Sequence, residues 1–491
     1  MAEERLEEIR QARLAKRQAV LDAGRSPYPA EAVRSHTMGE VAADFDSLAE
    51  QQETVTVNGR LTALRSHGGV VFADLADSSG SLQLQINKDD VPQEIFDRLE
   101  LLDIGDFIQA AGKLITTSRG AQTLLVAEWH MLAKGIRPLP TAQFGLKDHE
   151  KRFRNRELDL LLNTQAREVL ETRERVITWL RHYFKGQGYL EFETPILQTT
   201  AGGAAARPFS THHNALDMPL HLRIAAELPL KRLLVAGFEK VFEIERRFRN
   251  EGVDRQHNPE FTMLEAQWAY ADYEDLMNAM EEMLEQLCQE LFATTDIVWQ
   301  EQTLSFARPF KRVRYVDLVS TELGVDILAE KDLAVYLRLL EKHQLDVPET
   351  KNYYQLVDEL YKELIRPTLI QPTLLYDYPA EMAPLAKRSA TDPRVAEKFQ
   401  LLIAGLEVNN SYTEQNDPVL QRQLMEEQQT QRDAGDDEAQ GIDEEYLRAM
   451  EYGMPPNVGW GIGIDRLTML LTDSASIRDT IAFPLMRPEN D

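Results

Sequence analysis

The chain has 491 residues, 43% hydrophobic and 27% charged, which is long enough for two or three domains with substantial cores. Its net charge of −27 argues against a general polyanion binder, so any RNA binding must use local patches and base contacts. The single cysteine, Cys288, excludes an internal disulfide and a cysteine-based zinc cluster and is typical of a reducing compartment. No apolar run predicts a membrane span and the polar N-terminus does not resemble a signal peptide, so we expect a cytoplasmic protein that binds no membrane.

The N-terminal segment is predicted to be helical. Residues 3–22 are strong helix formers followed by glycine and proline, which predicts a helix within an N-terminal extension over residues 1–50. Arg10, Arg13 and Arg17 recur at steps of three or four residues and form one stripe on this helix. The stripe indicates either a solvated face or a face that contacts RNA.

Between Val55 and Ala127 the pattern changes to five short alternating runs separated by glycine and polar turns. A helical segment, PQEIFDRLELL, follows the third run. This order predicts a small five-stranded barrel of the OB type over residues 51–134, a fold that commonly binds single-stranded nucleic acid. Phe72 and Gln83 could offer a ring and an amide to an unstacked base, although a phenylalanine in such a strand can also belong to the core.

Residues 135–150 contain prolines and glycine between the two patterned regions, which predicts a linker. A second domain is expected over residues 151–491. It begins with a helix over 165–187 that leads into a strand, YLEFETPIL. His212 and His213 do not predict a metal site, because adjacent residues point to opposite faces of a strand and no cysteine completes a ligand set.

The stretch from Phe238 to Tyr273 concentrates polar and aromatic residues. Two alternating segments flank the loop sequence RNEGVDRQHNP, which predicts a long antiparallel hairpin. A period of two places Phe261, Glu265 and Gln267 on one face of its second strand. The hairpin is either a charged loop with a solvated tip or a surface that binds a base by stacking and phosphates through arginines.

Two later stretches carry further polar groups. The sequence GWGIGIDRL alternates glycines before an apolar helix that opens with Asp465 and Arg466, and its spacing and context do not fit a Rossmann loop. The sequence AGLEVNNSYTEQND places Asn410, Tyr412 and Glu414 on one strand face. A lone buried glutamate at the base of a pocket would select a side-chain cation, because an unpaired charge in a dry site is costly.

Several of these stretches resemble one enzyme family. FRNEG and HNPEFTMLE resemble motif 2 of class II aminoacyl-tRNA synthetases, GIGIDRL resembles motif 3, and the helix and strand before Pro195 resemble motif 1. HNPEFTMLE followed by AYADY looks most like the lysyl branch, and the resemblance covers nearly the whole chain. It implies an α+β protein with an N-terminal five-stranded OB β-barrel followed by a class II synthetase catalytic domain, whose antiparallel sheet is flanked by helices. It also implies a homodimer, because motif 1 has a dimerising role in the class.

The resemblance implies a ligase that activates L-lysine with ATP to lysyl-adenylate and transfers lysine to the 3′ end of tRNA(Lys). The lysine carboxylate itself attacks the α-phosphorus, so positioning and charge neutralisation carry the catalysis. Arg249 and Arg466 are the implied catalytic residues, on the α- and γ-phosphates. The implied ATP-binding residues are Arg249, Glu251, His257, Phe261, Glu407 and Arg466.

The resemblance also implies an amino-acid site and an anticodon site. Glu227 would receive the α-amino group and Glu414 the lysine ε-ammonium. The implied substrate-binding residues are Gly203, Glu227, Glu265, Gln267, Asn410, Tyr412 and Glu414. The implied anticodon-binding residues are Arg65, Phe72 and Gln83. Glu407 would ligate Mg²⁺, which requires a bulge or turn near Asn409 because Glu407 and Asn410 have opposite parity.

The chain departs from the family pattern at three places. Ala266 and Gln267 replace the usual aromatic pair after the hairpin glutamate. Gln400 replaces the usual second magnesium carboxylate, and its carbonyl could still coordinate the metal. Gly68 and Gly69 stand where a basic residue usually precedes the anticodon phenylalanine. Two alternatives therefore stay open: a paralogue that activates a related cationic amino acid or modifies a protein, and a non-catalytic tRNA-binding protein.

Overall fold

The computed structural model describes residues 2–140, 148–204, 206–348, 352–433 and 441–488. The chain divides into two compact units, Met1–Lys147 and Asp148–Asp491. The division falls inside the predicted linker 135–150, of which residues 141–147 lie outside the described residues. Within the described part of the chain, no helix is both long and apolar enough to cross a membrane.

The first unit is a closed five-stranded barrel with three helices before it. Its elements are α1 (Ala2–Asp22), α2 (Met38–Ala43), α3 (Phe45–Gln51), β1 (Val55–His67), β2 (Val70–Ala76), β3 (Ser81–Asn87), α4 (Gln93–Asp97) with a 3₁₀ turn Arg98–Leu101, β4 (Phe107–Thr116) and β5 (Gln122–Ala133). The strand order is β1-β2-β3-β5-β4, and β3 pairs parallel with β5. Residues of alternating parity fill the barrel interior. The predicted barrel, with its helical segment after the third strand, is confirmed.

The arginine stripe on α1 has a role that neither sequence alternative included. Arg13 is buried, and its guanidinium donates to the backbone carbonyls of Ile104 at 3.0 Å, Gly135 at 3.0 Å and Arg137 at 3.1 Å. Arg10 keeps 42% of its side chain exposed. Arg13 therefore docks α1 onto the barrel, and the expectation of a solvated or RNA-contacting face is wrong at this position.

The second unit is built around an eight-stranded sheet. Its elements are α5 (His149–Arg154), α6 (Arg156–Leu162), α7 (Thr164–Gly186), β6 (Leu190–Glu191), β7 (Leu197–Gln198), β8 (Ser210–His213), β9 (Met218–Leu222), α8 (Glu227–Val235), β10 (Lys240–Phe248), β11 (Glu260–Ala269), α9 (Tyr273–Phe292), β12 (Asp296–Trp299), β13 (Gln302–Ser305), β14 (Lys311–Arg314), α10 (Tyr315–Leu323), α11 (Leu333–Lys342), α12 (Tyr353–Leu360), β15 (Thr373–Pro379), β16 (Val395–Ile403), β17 (Leu406–Thr413), α13 (Pro418–Asp433), α14 (Glu444–Glu451), β18 (Asn457–Gly463) and α15 (Ile464–Leu471). The sheet order is β14-β15-β16-β17-β18-β11-β10-β6, antiparallel except at β6–β10 and β14–β15.

The hairpin predicted between Phe238 and Tyr273 forms the sixth and seventh strands of this sheet, next to the edge strand β6. Strands β10 and β11 pair antiparallel, and β18 flanks β11 on its other side. Leu264 and Ala266 of β11 join a core packed against α7, α9 and α15. The predicted hairpin and its alternation are therefore confirmed. The β11 residues of opposite parity point to the other face of the sheet, away from this core.

The prediction of a continuous strand over YLEFETPIL is wrong. Only β6 and β7, of two residues each, form there. The hydroxyl of Thr194 donates to buried Glu243 at 2.7 Å, and Pro195 has no N–H to give to a ladder. A side-chain contact and a proline thus interrupt the pairing that the apolar alternation favoured.

We predict that Arg13→Ala undocks α1. Its loss leaves three backbone carbonyls without their charged donor, and a hydrogen bond to a charged group contributes on the order of 2 kcal/mol. Hydrogen exchange measured by mass spectrometry on the intact chain should show faster exchange in α1. The matched control is Arg10→Ala, whose partner is the exposed Glu7, and it should exchange as the wild type does. Equal exchange in both variants would contradict the docking role.

Candidate active site

A cavity of about 700 Å³ opens on the face of the large sheet that β11 does not turn to the core. This volume suits a small-molecule ligand. All thirteen residues that the resemblance assigns to ATP and amino-acid binding line it: Gly203, Glu227, Arg249, Glu251, His257, Phe261, Glu265, Gln267, Glu407, Asn410, Tyr412, Glu414 and Arg466.

One end of the cavity holds a buried ionic cluster. The ammonium of Lys231 lies 2.5 Å from Oε1 of Glu227 and 2.5 Å from Oε2 of Glu414. The hydroxyl of Tyr412 donates to Oε2 of Glu227 at 2.6 Å, and Nε2 of Gln267 donates to Oε1 of Glu414 at 3.0 Å. The expectation of a lone glutamate is therefore wrong, because Glu414 already has a cationic and an amide partner.

The cluster is poised to change its protonation. Burial raises the pKa of the Glu414 carboxyl, which Lys231 opposes and Glu227 supports, and the result is about 8. Burial lowers the pKa of the Lys231 ammonium, but the two carboxylates outweigh this effect and the net shift is upward. Lys231 thus stays charged. A ligand cation favours ionised Glu414, so its binding at neutral pH is linked to proton release.

The sequence analysis did not identify Lys231 as a site residue, although its spacing from Glu227 indicates a contact. Lys231 follows Glu227 by four residues on α8, and this spacing brings two side chains together on one helix face. The spacing does not reveal that Glu414, at the end of β17, completes the cluster. That contact depends on tertiary structure.

Glu265 reaches the cavity wall but is held by protein donors. Its Oε2 accepts from Nε of Arg247 at 3.0 Å, from Nη2 of Arg247 at 2.8 Å and from the backbone N–H of Ala226 at 2.5 Å. Glu265 therefore fixes the start of α8, one residue before Glu227. Gly203 packs against the same turn with φ +88°, and a Cβ there would lie 3.2 Å from Cβ of Glu227.

The other end of the cavity carries three arginines: Arg249, Arg366 and Arg466. The guanidinium of Arg249 lies 5.1 Å from the ring centroid of Phe261, and its buried Nε has no hydrogen-bond partner among the described residues. Arg366, in a turn after α12, was missed because its sequence context carries no pattern. Within the described ranges no hydrogen bond or ion pair engages the Arg366 guanidinium. A ring beside available guanidinium groups suits a nucleotide.

His257 positions Arg466. Nη2 of Arg466 lies 2.9 Å from Nε2 of His257, and Nδ1 of His257 lies 2.8 Å from Oδ2 of Asp254. Because arginine can only donate, Nε2 accepts and Nδ1 carries the proton toward Asp254. Nη1 of Arg466 also donates to the backbone carbonyl of Glu407 at 2.9 Å. The guanidinium is thus held between the hairpin loop and β17.

Glu407 lines the cavity because the register of β16 and β17 slips by one residue at Val408. This slip is the irregularity predicted near Asn409. Nε2 of Gln400 donates to Oε2 of Glu407 at 2.8 Å, and Oε1 of Gln400 accepts from the hydroxyl of Tyr378 at 2.6 Å. The Gln400 carbonyl is thus turned to Tyr378, and its amide nitrogen is turned to Glu407.

The three predicted anticodon residues share the outer face of the barrel. Phe72 of β2 is half-buried, pairs across the ladder with Arg65 and does not belong to the barrel core. Arg65 makes two 2.9 Å hydrogen bonds to Asp74. Gln83 pairs with Asp74 in register, and its Oε1 accepts from the Thr123 hydroxyl at 2.9 Å. The face therefore offers a half-buried ring beside polar groups.

Comparison with known proteins assigns both units. Residues 148–487 match the family model described as tRNA synthetases class II (D, K and N), which covers well over half of the sequence. This chain belongs to the class II tRNA synthetases. Residues 55–139 match the OB-fold nucleic acid binding domain. The predicted fold class and the prediction of a ligase are thereby confirmed for this class II synthetase.

Relatives of this synthetase match along its whole length. The lysine–tRNA ligase of Roseiflexus castenholzii is 46% identical over 98% of this chain and 99% of its own. The lysine–tRNA ligase of Carboxydothermus hydrogenoformans is 43% identical over 100% of both chains. That of Enterococcus faecalis is 42% identical over 99% of this chain and 100% of its own.

We predict that Lys231→Met strongly destabilises the synthetase. It leaves the buried carboxylate of Glu414 and the partly buried carboxylate of Glu227 without their cation, and breaking a buried pair costs on the order of 3–5 kcal/mol. Chemical denaturation should show the loss at neutral pH. The loss should shrink as pH falls toward the ordinary glutamate pKa of 4.5, because protonation removes the unpaired charges. The neighbouring Arg232→Met breaks only an exposed pair with Glu445 and should have little effect.

Proposed function

We propose that this class II synthetase activates L-lysine with ATP and transfers it to tRNA(Lys). The observation that carries the proposal is the polarity of the cavity. One end gathers two carboxylates and two acceptor oxygens without a hydrogen-bond partner among the described residues, Oε1 of Gln267 and Oδ1 of Asn410. The other end gathers arginines. An amino acid with a side-chain ammonium complements the first end, and a triphosphate complements the second. The lysine–tRNA ligases among its relatives support the same substrate.

In the first half-reaction the lysine carboxylate attacks the α-phosphorus of ATP. A new P–O bond forms, the bond to the bridging oxygen breaks, and pyrophosphate leaves with its negative charge. Arg249 would neutralise the α-phosphate beside adenine stacked on Phe261, while Glu251 contacts the nucleotide. Arg466, oriented by His257, would hold the γ-phosphate. Groups fixed in advance at the reacting charges lower the barrier without a protein nucleophile.

The amino-acid end would orient the attacking carboxylate. Glu227, held by Tyr412 and Lys231, takes the α-ammonium, and Glu414 takes the side-chain ammonium. Asn410 holds the carboxylate, while Glu265 acts mainly by fixing the turn before Glu227. Anchoring both ends of the substrate leaves its carboxylate directed at the α-phosphate.

Mg²⁺ is proposed as the cation that accompanies ATP. No group of three or more histidine, cysteine, aspartate or glutamate residues in the described ranges could hold a metal. Mg²⁺ is commonly bound through one or two carboxylates with substrate phosphates and water. Glu407, oriented by Gln400, fits that role as the one protein ligand. The ion would neutralise phosphate charge.

The second half-reaction would pass lysine to tRNA. The terminal ribose hydroxyl attacks the lysyl carbonyl carbon, its proton leaves, and AMP departs. The barrel over residues 51–134 would read the anticodon through Arg65, Phe72 and Gln83, and the region over residues 151–491 would hold both reactions.

We further infer a cytoplasmic homodimer. The dimer is supported by the exposed apolar side chains Leu190, Ile196 and Leu197 in the motif 1 segment.

Amino-acid-dependent exchange of pyrophosphate into ATP tests the activation step. We expect exchange with L-lysine, and Glu414→Gln should raise the KM for lysine far more than the KM for ATP. The panel should include ornithine and a β-amino acid, because Gln267 departs from the family pattern. No exchange with any amino acid would sink the proposal, and a better rate with ornithine or the β-amino acid would favour the paralogue.

We predict that Phe72→Ala weakens tRNA recognition and leaves adenylate formation intact. Loss of a stacked base costs about 1–3 kcal/mol, so the KM for tRNA should rise roughly tenfold. Aminoacylation and pyrophosphate exchange measured on the same preparation separate the two steps. Thr62, on the same barrel, supplies the control Thr62→Ala, because its exposed hydroxyl donates to the backbone carbonyl of Asp74. Equal loss of both activities in Phe72→Ala would mean that the ring serves stability alone.

A further inference from the structure

We infer that Arg247 is a positioning residue for amino-acid recognition, which acts through Glu265 on the turn that places Glu227. The inference rests on the proposed activation of lysine, and it concerns a side chain outside the binding cavity. Arg247 is fully buried and is not among the described residues that line the cavity. Any effect of Arg247 on binding must therefore pass through another side chain.

Glu265 takes the place of a capping side chain at the start of α8. The N-cap residue of this helix is Ala226, whose side chain makes no capping hydrogen bond. Oε2 of Glu265, on β11, accepts from the backbone N–H of Ala226 instead. A glutamate in the first turn makes the same contact in a capping box, and a carboxylate also suits the positive end of the helix dipole. Glu227 is the first residue of α8, so its position depends on where Glu265 holds this turn.

Glu265 needs a counterion to keep this place. Glu243 of β10 lies directly opposite Glu265 in the ladder, both are buried, and like charges in that arrangement repel. Arg247 lies four residues after Glu243 on β10. Its Nη2 is 2.8 Å from Oε2 of Glu265 and 3.8 Å from Oε2 of Glu243. The guanidinium therefore offsets the repulsion and holds Glu265 in the orientation that reaches α8.

The guanidinium of Arg247 is itself fixed by a second buried pair. Arg223 and Arg247 both donate to the backbone carbonyl of Arg246, at 2.9 Å and 3.0 Å. Nη1 of Arg223 also donates to Oε1 of Glu243 at 2.5 Å and to the backbone carbonyl of Thr194 at 3.1 Å. The hydroxyl of Thr194 donates to the other oxygen of Glu243 at 2.7 Å. Four buried charges of alternating sign thus lead from the motif 1 segment to α8.

Removal of the guanidinium should weaken recognition of one group of the substrate. Glu265, repelled by Glu243, would release the N–H at the start of α8, and Glu227 would shift with the turn. Under the proposed function Glu227 takes the α-ammonium of lysine. The side-chain ammonium and the nucleotide are assigned to residues outside this turn, so the loss of affinity should be selective.

The test is Arg247→Met, which keeps an unbranched side chain and removes the guanidinium. Isothermal titration should show lysine binding weakened on the order of 10- to 100-fold, the equivalent of one hydrogen bond to a charged group. Binding of 6-aminohexanoic acid, which is lysine without its α-amino group, should change little. ATP affinity should stay close to that of the wild type, which also reports that the variant is folded.

Arg312→Met is the matched control, because Arg312 also binds a buried carboxylate, that of Glu281 at 2.8 Å. Arg312 belongs to β14, the opposite edge strand of the sheet, and is not among the described residues that line the cavity. Its loss should leave lysine binding unchanged. If Arg247→Met loses ATP binding, Arg247→Lys replaces it in the same measurements. Lysine at this position keeps the charge without the fork of donors, so the selective loss should be smaller.

Glu265→Gln completes a double-mutant cycle with Arg247→Met. Because Arg247 acts through Glu265, the double variant should bind lysine no more weakly than the more affected single variant. Additive losses, unchanged lysine affinity in Arg247→Met, or equal loss of lysine and 6-aminohexanoic acid would overturn the inference. Absence of lysine-dependent exchange in the wild type would instead refute the proposed function.

Discussion

The buried ammonium of Lys231 is the interaction on which the amino-acid end of the cavity depends. Without it, Glu227 and Glu414 would be like charges in a site from which water is largely excluded. The ammonium comes from α8 and Glu414 from the end of β17, so one contact ties a helix to the sheet and spaces the two carboxylates. When both carboxylates are ionised, the cluster lacks one positive charge. The balance that stabilises the cluster therefore also suits it to a cationic ligand.

The sheet positions the second end of the cavity through a different buried carboxylate. Oδ2 of Asp465 accepts from the backbone N–H of Thr262 at 2.6 Å, and its Oδ1 accepts from Arg173 at 3.0 Å. These bonds fix the start of α15 against β11 and α7. Arg466 is the next residue, so its backbone is held in place by these bonds and its guanidinium extends toward His257. The alternation of β11 does the rest, because apolar Leu264 faces the core while Phe261 faces the cavity.

The sequence reasoning succeeded where local periodicity decides the outcome. The parity of β11 put Phe261 and Gln267 on the cavity side. The parity conflict at Glu407 predicted an irregularity near Asn409, and the register slips at the adjacent Val408. It failed where a side chain finds a partner far along the chain. Arg13 bonds to carbonyls up to 124 residues away, and Gln267 meets Glu414 across 147 residues. No pattern within a segment encodes such contacts, since they depend on how the segments pack.

The two glutamines that depart from the family pattern both donate to a carboxylate of the site, but their carbonyl groups differ in whether they have a partner. Gln400 and Gln267 each donate an N–H to a carboxylate of the site, at 2.8 Å to Glu407 and 3.0 Å to Glu414. A neutral amide can thus orient a carboxylate without neutralising its negative charge. The carbonyl of Gln400 is closed by Tyr378, which leaves Gln400 a positioning role. The carbonyl of Gln267 has no such partner in the described ranges.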